Sequence, residues 1–305
     1  MVVGYKKLSN GVIAELRILG LNNALREDIL DKRYASYRCS EAYVLHLQSI
    51  DNELISVSRA KSMYDQNFIY EVGKIVKVDN YDTNPNNIRS TGIHYFISPE
   101  RAFYYCLPTT DHEGEYKTWY DNGQIESLGM YVTGRKDGRW SEWYINGIPR
   151  LINYYWIGKL DGVYLLFYQN GYLNVYAEYK NGLLSGSSAA FSNIGQIISW
   201  TQYMRGMRNG LSLNWYESSN GQYNIQSYIT YSDNEKNGCY KVWHRNGEKF
   251  INGFYSKDSK YGRWISFFPN RKLMSVEQYF YDVKHGMQYQ WSNDGVFTSN
   301  THSYQ

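Results

Sequence analysis

The chain repeats itself at a fixed interval after residue 113, and glycine shows the period most clearly. Members of one glycine series lie 24 residues apart, except for a spacing of 28 between Gly210 and Gly238. This series is Gly114, Gly138, Gly162, Gly186, Gly210, Gly238, Gly262 and Gly286. A second glycine usually follows nine residues later, giving Gly123, Gly147, Gly171, Gly195, Gly247 and Gly295, with Gly221 in the longer fifth copy. Arg271 replaces it in the seventh copy, so we expect that turn to be altered.

Aromatic residues keep the same period. Five residues after each glycine of the first series stand Trp119, Trp143, Phe167, Phe191, Trp215, Trp243, Phe267 and Trp291. Seven residues before each later glycine stand Tyr131, Tyr155, Tyr179, Tyr203, Tyr231, Tyr255 and Tyr279. Repeated units that stack on one another must bury a continuous core between them. We therefore predict that these rings form the structural core of about eight repeats, and that the glycines form their turns.

The residues between the rings favour β-hairpins. Asn-Gly pairs such as Asn122-Gly123 and Asn246-Gly247 lie between apolar segments, and Asn-Gly is typical of a type I′ hairpin turn. A second turn, as in residues 134–138, closes the unit. Its first glycine becomes Asn234, Asp258 and Asp282 in later copies, and these residue types tolerate positive φ best after glycine.

The repeat also resembles a known family. The pattern Gly-x-Trp-x-x-Trp-Tyr-x-Asn-Gly, then Tyr, then Gly-Lys-x-Asp-Gly, resembles the MORN repeat, in the 24-residue variant of bacterial antitoxin-like and giant-virus proteins. The resemblance covers residues 114–305, although Ser188 and Ser192 replace aromatics in the fourth copy. The expected fold is mainly β: a small N-terminal α+β domain followed by an elongated, twisted, single-layer antiparallel β-hairpin repeat array.

The first 107 residues do not follow the repeat, and residues 108–113 are expected to be a linker. Ser98-Pro99-Glu100 is typical of a helix start, with Ser as N-cap and Pro at the first position. Leu21–Tyr37 is predicted to be weakly helical. The predicted strands are Tyr5–Leu8 and Val12–Leu19, joined by Asn10-Gly11, and Tyr43–Ile50, Leu54–Val57 and Phe68–Val78.

Four stretches of this N-terminal part resemble an uncharacterised domain common in large DNA viruses of amoebae, where it often precedes repeats. They begin at Gly4, Arg38, Phe68 and Gly92, the last reading Gly-Ile-His-Tyr-Phe-Ile. The resemblance implies a viral origin and implies no activity.

Candidate chemical groups are few, and each has a structural alternative. Cys39 and His94 could form a nucleophile pair, although isolated residues of these types are mostly core. Asp111, His112 and Glu113 could contribute to a metal site or be a solvated linker. The carboxylates of Asp137 and Asp161 could act as a pair or serve Asp-Gly turns. We expect no catalytic, metal-binding or cofactor-binding residues, and an odd number of distant cysteines (Cys39, Cys106, Cys239) favours a reducing compartment.

The function predicted from the sequence is a non-enzymatic protein-interaction or structural scaffold of a large DNA virus, with a minor virion component as one version. Expected partners are other proteins, including capsid or other virion proteins. A net charge of +3 does not favour nucleic acid, and no transmembrane segment or signal peptide is expected; peripheral lipid contact through a strip such as Arg205, Arg208 and Lys236 has little support. The expected location is the virion or the host cytoplasm. Two alternatives stay open: an antitoxin-like or immunity module, and an N-terminal enzyme targeted by the repeats.

Overall fold

The computed structural model describes residues 2–50, 57–217 and 223–303. The chain is mainly β, with 60% strand and 3% helix, and within these residues a long antiparallel sheet of 18 strands follows a small N-terminal domain. The predicted fold class is confirmed at this level. By contact density the chain divides into two compact units, residues 1–149 and 150–305. This division falls inside the second repeat, and the domain limits drawn at 107 and 113 remain a prediction.

The N-terminal sheet of the first unit has the strand order β2-β1-β7-β3-β6, and β2 also pairs with β3. Its strands are β1 (Val3–Leu8), β2 (Val12–Asn22), β3 (Ser36–Ser49), β6 (Ile75–Lys77) and β7 (Ile93–Phe96), while β4 (Arg59–Lys61) pairs with β5 (Ile69–Glu71). A 3-10 turn, Ser9–Gly11, joins β1 to β2. The core consists of the inward side chains of these strands, including Leu16, Val44, Leu47 and Tyr95.

The predicted hairpin around Asn10-Gly11 and the predicted helix start are confirmed. Helix α1 (Pro99–Tyr104) begins with the Ser98 hydroxyl accepting a hydrogen bond from the Arg101 amide at 3.4 Å. The helix was predicted to run through Cys106, and in the structure it ends two residues earlier, at Tyr104.

Two other N-terminal predictions differ from the structure. Leu21–Tyr37 is not helical, because side chains such as that of Asp31, which accepts from the Arg33 amide at 2.9 Å, satisfy the backbone locally. Phe68–Val78 is not one strand: a turn containing Gly73, with φ 81°, separates β5 from β6. Most of the predicted strand Leu54–Val57 lies outside the described residues.

Within each unit, most repeat strands pair antiparallel with their neighbours in sequence. In the first unit these are β8 (Gly114–Trp119), β9 (Ile125–Val132) and β10 (Arg135–Trp143). The strands that follow are β11 (Pro149–Trp156), β12 (Lys159–Leu160), β13 (Gly162–Phe167), β14 (Leu173–Lys180), β15 (Leu183–Phe191), β16 (Ile197–Met204), β17 (Met207–Trp215), β18 (Ile225–Ser232), β19 (Glu235–Trp243), β20 (Lys249–Ser256), β21 (Ser259–Phe267), β22 (Leu273–Phe280), β23 (Val283–Lys284), β24 (Gly286–Trp291) and β25 (Phe297–Ser303).

The type I′ turns occur in the other hairpin of each repeat, which corrects the assignment made from Asn-Gly. Asn122 keeps a negative φ, and Gly123 alone is left-handed at 89°. The Tyr120 amide donates to the Gln124 carbonyl at 2.9 Å, which makes a three-residue loop of a type I turn followed by glycine. Both residues of Thr133-Gly134 have positive φ, 48° and 69°, so this two-residue loop is the type I′ turn.

Candidate functional site

The fifteen rings that the period predicts as core lie along the repeat strands and differ in burial. Trp119, Tyr131, Tyr231 and Tyr279 are buried. Partly exposed are Trp143, Tyr155, Phe167, Tyr179, Phe191, Tyr203, Trp215, Trp243, Tyr255, Phe267 and Trp291. The two most buried tryptophans of the repeats, Trp140 and Trp264, stand two residues after a repeat glycine. This is the first Trp of the repeat pattern, but it was not among the rings predicted as core.

Each of these two tryptophans packs on a glycine of the preceding strand. A Cβ added to Gly129 would lie 2.2 Å from the Trp140 ring, and one added to Gly253 would lie 2.4 Å from Trp264. In the fourth copy, a small residue, Ser188, takes the position of the tryptophan. The residue opposite it in the β14–β15 register is Ala177, which is larger than the glycine found opposite Trp140 and Trp264. The fourth copy therefore has neither the tryptophan nor the glycine on which it packs. This pairing is visible in the sequence once the register is known.

The glycines predicted to form turns have positive φ, but only the second series lies in hairpin loops. The first series differs from the prediction, because its members begin a strand, as Gly114 does, or lie inside one, as Gly138 does. The first series has φ between 64° and 121°, and the described members of the second series have φ between 80° and 89°. Gly221 lies outside the described residues. The expectation that Arg271 alters its turn is wrong: Arg271 takes φ 69°, and the Phe268 amide still donates to the Lys272 carbonyl at 2.8 Å.

Side chains at the glycine-bulge loops connect successive repeats. The Tyr168 hydroxyl donates to the Phe191 carbonyl at 2.9 Å, and the Tyr216 hydroxyl donates to the Trp243 carbonyl at 2.7 Å. The amide of the loop asparagine does the same, as in Asn246 to the Pro269 carbonyl at 2.9 Å. The Asn of Asn-Gly therefore serves the neighbouring repeat.

In the second unit, the type I′ turns also form a continuous edge, which we call the turn edge. The Gly182 amide donates to the Leu160 carbonyl and the Gly206 amide to the Leu184 carbonyl, each at 2.7 Å. Where Asp replaces glycine, the link is double: the Asp258 amide donates to the Lys236 carbonyl at 2.9 Å, and its carboxylate accepts from the Lys236 amide at 2.8 Å. Asn234 and Asp282 bond to the preceding repeat in the same way.

Large apolar side chains lie exposed along this edge in the second unit. The first edge cluster is Trp156 (61% exposed), Ile157 (50%), Leu183 (51%) and Met204 (48%). The second edge cluster is Tyr261, Phe280, Tyr281 and Val283, in which the rings of Phe280 and Tyr281 meet edge to face at 4.9 Å. Polar turns, Asp233-Asn234 and Lys257-Asp258, lie between the two clusters in sequence.

Two of the three basic residues of the strip considered for lipid contact lie over repeat rings, whereas Arg205 is exposed. The Arg208 guanidinium carbon is 4.2 Å from the centroid of Tyr231, and the Lys236 ammonium is 4.9 Å from that of Tyr255. The positive charges of Arg208 and Lys236 are directed at aromatic rings of the repeats. The strip therefore presents less positive charge to an acidic lipid surface than its composition suggests.

The candidate chemical groups take structural positions. Cys39 is fully buried, and burial raises the pKa of its thiol to about 12, which disfavours a thiolate nucleophile. Burial also lowers the pKa of His94, whose Nε2 lies 2.9 Å from the Ile88 carbonyl. Cys106 and Cys239 are exposed free cysteines.

Among the candidate groups, Glu113 and Asp161 bond to type I′ turns of the repeats, whereas His112 contacts β8. Glu113 accepts from the Thr133 amide at 2.6 Å, and His112 Nε2 lies 2.9 Å from the Glu115 carbonyl. Asp161 accepts from the Asn181 amide at 3.1 Å and from Lys180 at 2.9 Å.

Among residues 2–50, 57–217 and 223–303, no group of three or more His, Cys, Asp and Glu side chains is placed to hold a metal ion. In the same part of the chain, no helix combines the length and apolar character needed to cross a membrane.

The first unit contains a cavity of about 780 Å³. Four cationic side chains line it together with Tyr104 and Trp119, namely Lys6, Lys7, Arg89 and Arg101. Lys6, on β1, donates to the His94 carbonyl at 3.1 Å, and burial lowers its pKa to about 8. Nothing in the spacing of these residues points to a common site.

Residues 1–102 match the model of a family of unknown function, DUF5758. No curated protein matches the chain. The family match ends before the first repeat and assigns no activity to the residues that it covers.

Proposed function

We propose that the chain is a non-enzymatic protein-interaction scaffold of a large DNA virus, and that its repeats bind other proteins through the turn edge. The observation that carries the proposal is the first edge cluster. Four large apolar side chains there remain roughly half exposed or more on consecutive, hydrogen-bonded turns. The resemblance of both parts of the sequence to giant-virus proteins supports the viral setting, and capsid or other virion proteins are the expected partners.

The composition of the edge suits protein contact. Aromatic residues and Met are enriched at the centres of protein interfaces, where they supply most of the binding energy. Trp156 and Met204 provide these residue types at 61% and 48% exposure. Burying such side chains against a partner yields about 25 cal/mol for each Å² of apolar surface removed from water.

The remaining groups of the repeats support binding rather than chemistry. Carboxylates such as Asp161 and Asp258 satisfy turn amides, and Arg208, Lys236 and Lys260 lie over aromatic rings. A dedicated nucleic-acid surface would instead present its cations to solvent along one face.

The test is site-specific cross-linking in infected cells. A photoreactive amino acid replaces Trp156 in one variant and Tyr172 in a matched control, which is also about half exposed, at 51%, but follows a glycine-bulge loop. We expect discrete protein adducts from position 156, and their loss when Leu183 and Met204 are changed to Ser. Equal adducts from both positions, or none from position 156, would refute the binding edge.

The particle version of the proposal needs a separate measurement. Quantitative mass spectrometry of purified particles should find the chain at low copy number. Its absence from particles would reject the virion role and leave the scaffold role to the cross-linking result.

A further inference from the structure

We propose that the cavity of the first unit binds a small organic anion, namely a flat aromatic molecule that carries one phosphate or carboxylate group. The site uses residues of the N-terminal sheet, α1 and the first repeat, and none of the second unit.

The first argument is unbalanced charge. Arg101 is 5% exposed and Lys7 is 7% exposed. Neither these two nor Lys6 forms an ion pair with any carboxylate of the described residues. A buried charge without a partner of opposite sign is costly, so native proteins rarely keep one. A fourth cation of the wall, Arg89, pairs with Asp121. The three that form no ion pair indicate that an anion completes the site.

The hydrogen bonds of these cations leave donors over. Each lysine ammonium has three donors, and a single protein contact is seen for each: Lys6 to the His94 carbonyl at 3.1 Å and Lys7 to the Phe103 carbonyl at 3.0 Å. Arg101 donates through Nη2 to the Trp119 carbonyl at 2.8 Å, while its buried Nε has no acceptor among the described residues. A phosphate or carboxylate supplies the oxygen acceptors that these donors lack.

Acidic residues on the cavity wall do not neutralise this charge. Asp121 already accepts from the Ser36 hydroxyl at 2.8 Å and pairs with Arg89 at 3.3 Å. Burial lowers the pKa of Arg101 to about 10 even though Asp121 and Glu126 act in the opposite direction. Asp65, the third acid of the wall, is exposed. The carboxylates are therefore near the site without balancing it.

The aromatic side chains of the cavity wall suit the flat aromatic part of the proposed ligand. Tyr104, Tyr116 and Trp119 line the cavity, and the Trp119 ring is held by Tyr34, stacked at 5.0 Å and 10°. Small-molecule sites are typically of about 300–1,000 Å³ and mostly apolar, with a few placed polar groups. A volume of 780 Å³ suits a ring system with one anionic substituent.

Isothermal titration of the full chain tests the proposal with four probes: 1-naphthyl phosphate, 1-naphthoate, neutral 1-naphthalenemethanol and inorganic phosphate. We expect at least one ring anion to bind with a Kd of about 1 mM or tighter, and the neutral alcohol and inorganic phosphate to bind at least about tenfold more weakly. The tighter of the two ring anions identifies the acidic group. No binding by either ring anion at about 10 mM, or equal binding by the alcohol, overturns the proposal.

Variants assign the binding to the cavity. Lys6→Met removes the charge and keeps most of the side-chain volume. We expect this variant to bind the ring anion at least about tenfold more weakly. The matched control is Lys136→Met, because burial likewise lowers the pKa of Lys136 and it belongs to the first unit but not to the cavity wall. If Lys6→Met fails to fold, Lys7→Met takes its place. Unchanged affinity in a folded Lys6 or Lys7 variant contradicts the site.

Discussion

The contact between Gly253 and Trp264 allows a quantitative test of how the repeats pack. A Cβ at position 253 would lie 2.4, 2.5 and 2.7 Å from three atoms of the Trp264 ring, which is 5% exposed and donates from Nε1 to the Phe254 carbonyl at 3.2 Å. The ring cannot recede without losing that bond. We therefore expect Gly253→Ala to destabilise the protein by about 1–3 kcal/mol, as overpacking does.

The same substitution should be harmless once the ring is gone. Trp264→Ser alone removes a buried aromatic, at a cost of about 3–5 kcal/mol. In that background an alanine at 253 meets no ring and relieves the entropic cost of a strand glycine, about 0.5–1 kcal/mol. The double variant reproduces the natural Ala177–Ser188 pair. The coupling energy between the two positions should thus be about 1.5–4 kcal/mol in favour of the double variant.

The double-mutant cycle consists of the parent, Gly253→Ala, Trp264→Ser and the double variant. Urea unfolding followed by circular dichroism gives their unfolding free energies, which can be compared if the slopes of free energy against urea concentration agree. Hydrogen exchange of β20 and β21 amides supplies a local readout if the array unfolds in stages. Ser188→Trp provides an independent control, because it should be tolerated better together with Ala177→Gly than alone. Equal costs of Gly253→Ala with and without Trp264 would refute the packing argument.

Four further outcomes follow from single contacts. Arg271→Gly should raise the urea midpoint, since glycine adopts φ 69° without strain, and a lower midpoint would mean that the ion pair with Glu248 outweighs the backbone. Asp258→Gly keeps the turn but loses the bond from the Lys236 amide, so unfolding free energy should fall by about 1 kcal/mol, whereas Asp258→Asn should lose little. Ile157→Asn should stabilise the protein by about 1 kcal/mol in thermal melts while it reduces cross-linking at position 156; a destabilised variant would contradict the strain assigned to φ 47°. Burial lowers the pKa of Lys6 to about 8, so the unfolded chain binds more protons than the folded protein between pH 8 and 10.5. The stability of the parent relative to Lys6→Met should therefore rise across this window. A stability difference that does not change with pH excludes the buried charge.

The strands of the repeats could be predicted because each hairpin is local. A turn signal, a ring and a glycine recur within 24 residues, and they place β13 and β14 without knowledge of any distant residue. The helix start at Ser98 was predictable for the same reason, since its cap bonds only three residues away.

The turn types could not be predicted, because register decides them. Asn-Gly favours a two-residue turn, but the pairing of Tyr168 with Tyr172 leaves three residues in the loop. Asn170 is then directed to the next repeat, where its amide donates to the Asn193 carbonyl at 2.6 Å. The type I′ position meanwhile carries residues such as Thr133 that local preference disfavours there.

The cavity could not be predicted from the sequence, for a different reason. Lys6 and Arg101 are 95 residues apart, and Trp119 belongs to the repeat series, where its period predicts core packing. Their meeting depends on how the first repeat packs on α1 within the first unit. Charge balance around a cavity is a property of three-dimensional neighbours, and one sequence contains no spacing rule for it.

Ile157 connects strain with function at the turn edge. It is β-branched, takes φ 47° and is 50% exposed, a combination that costs about 1–2 kcal/mol relative to residues suited to the left-handed region. The next repeat shows the cheaper solution at the same position, Asn181 with φ 52°. Folding alone therefore favours Asn where the chain has Ile. Since the isoleucine stands beside Trp156, the most exposed residue of its cluster, the strain is explained if Ile157 and Trp156 together contact a partner.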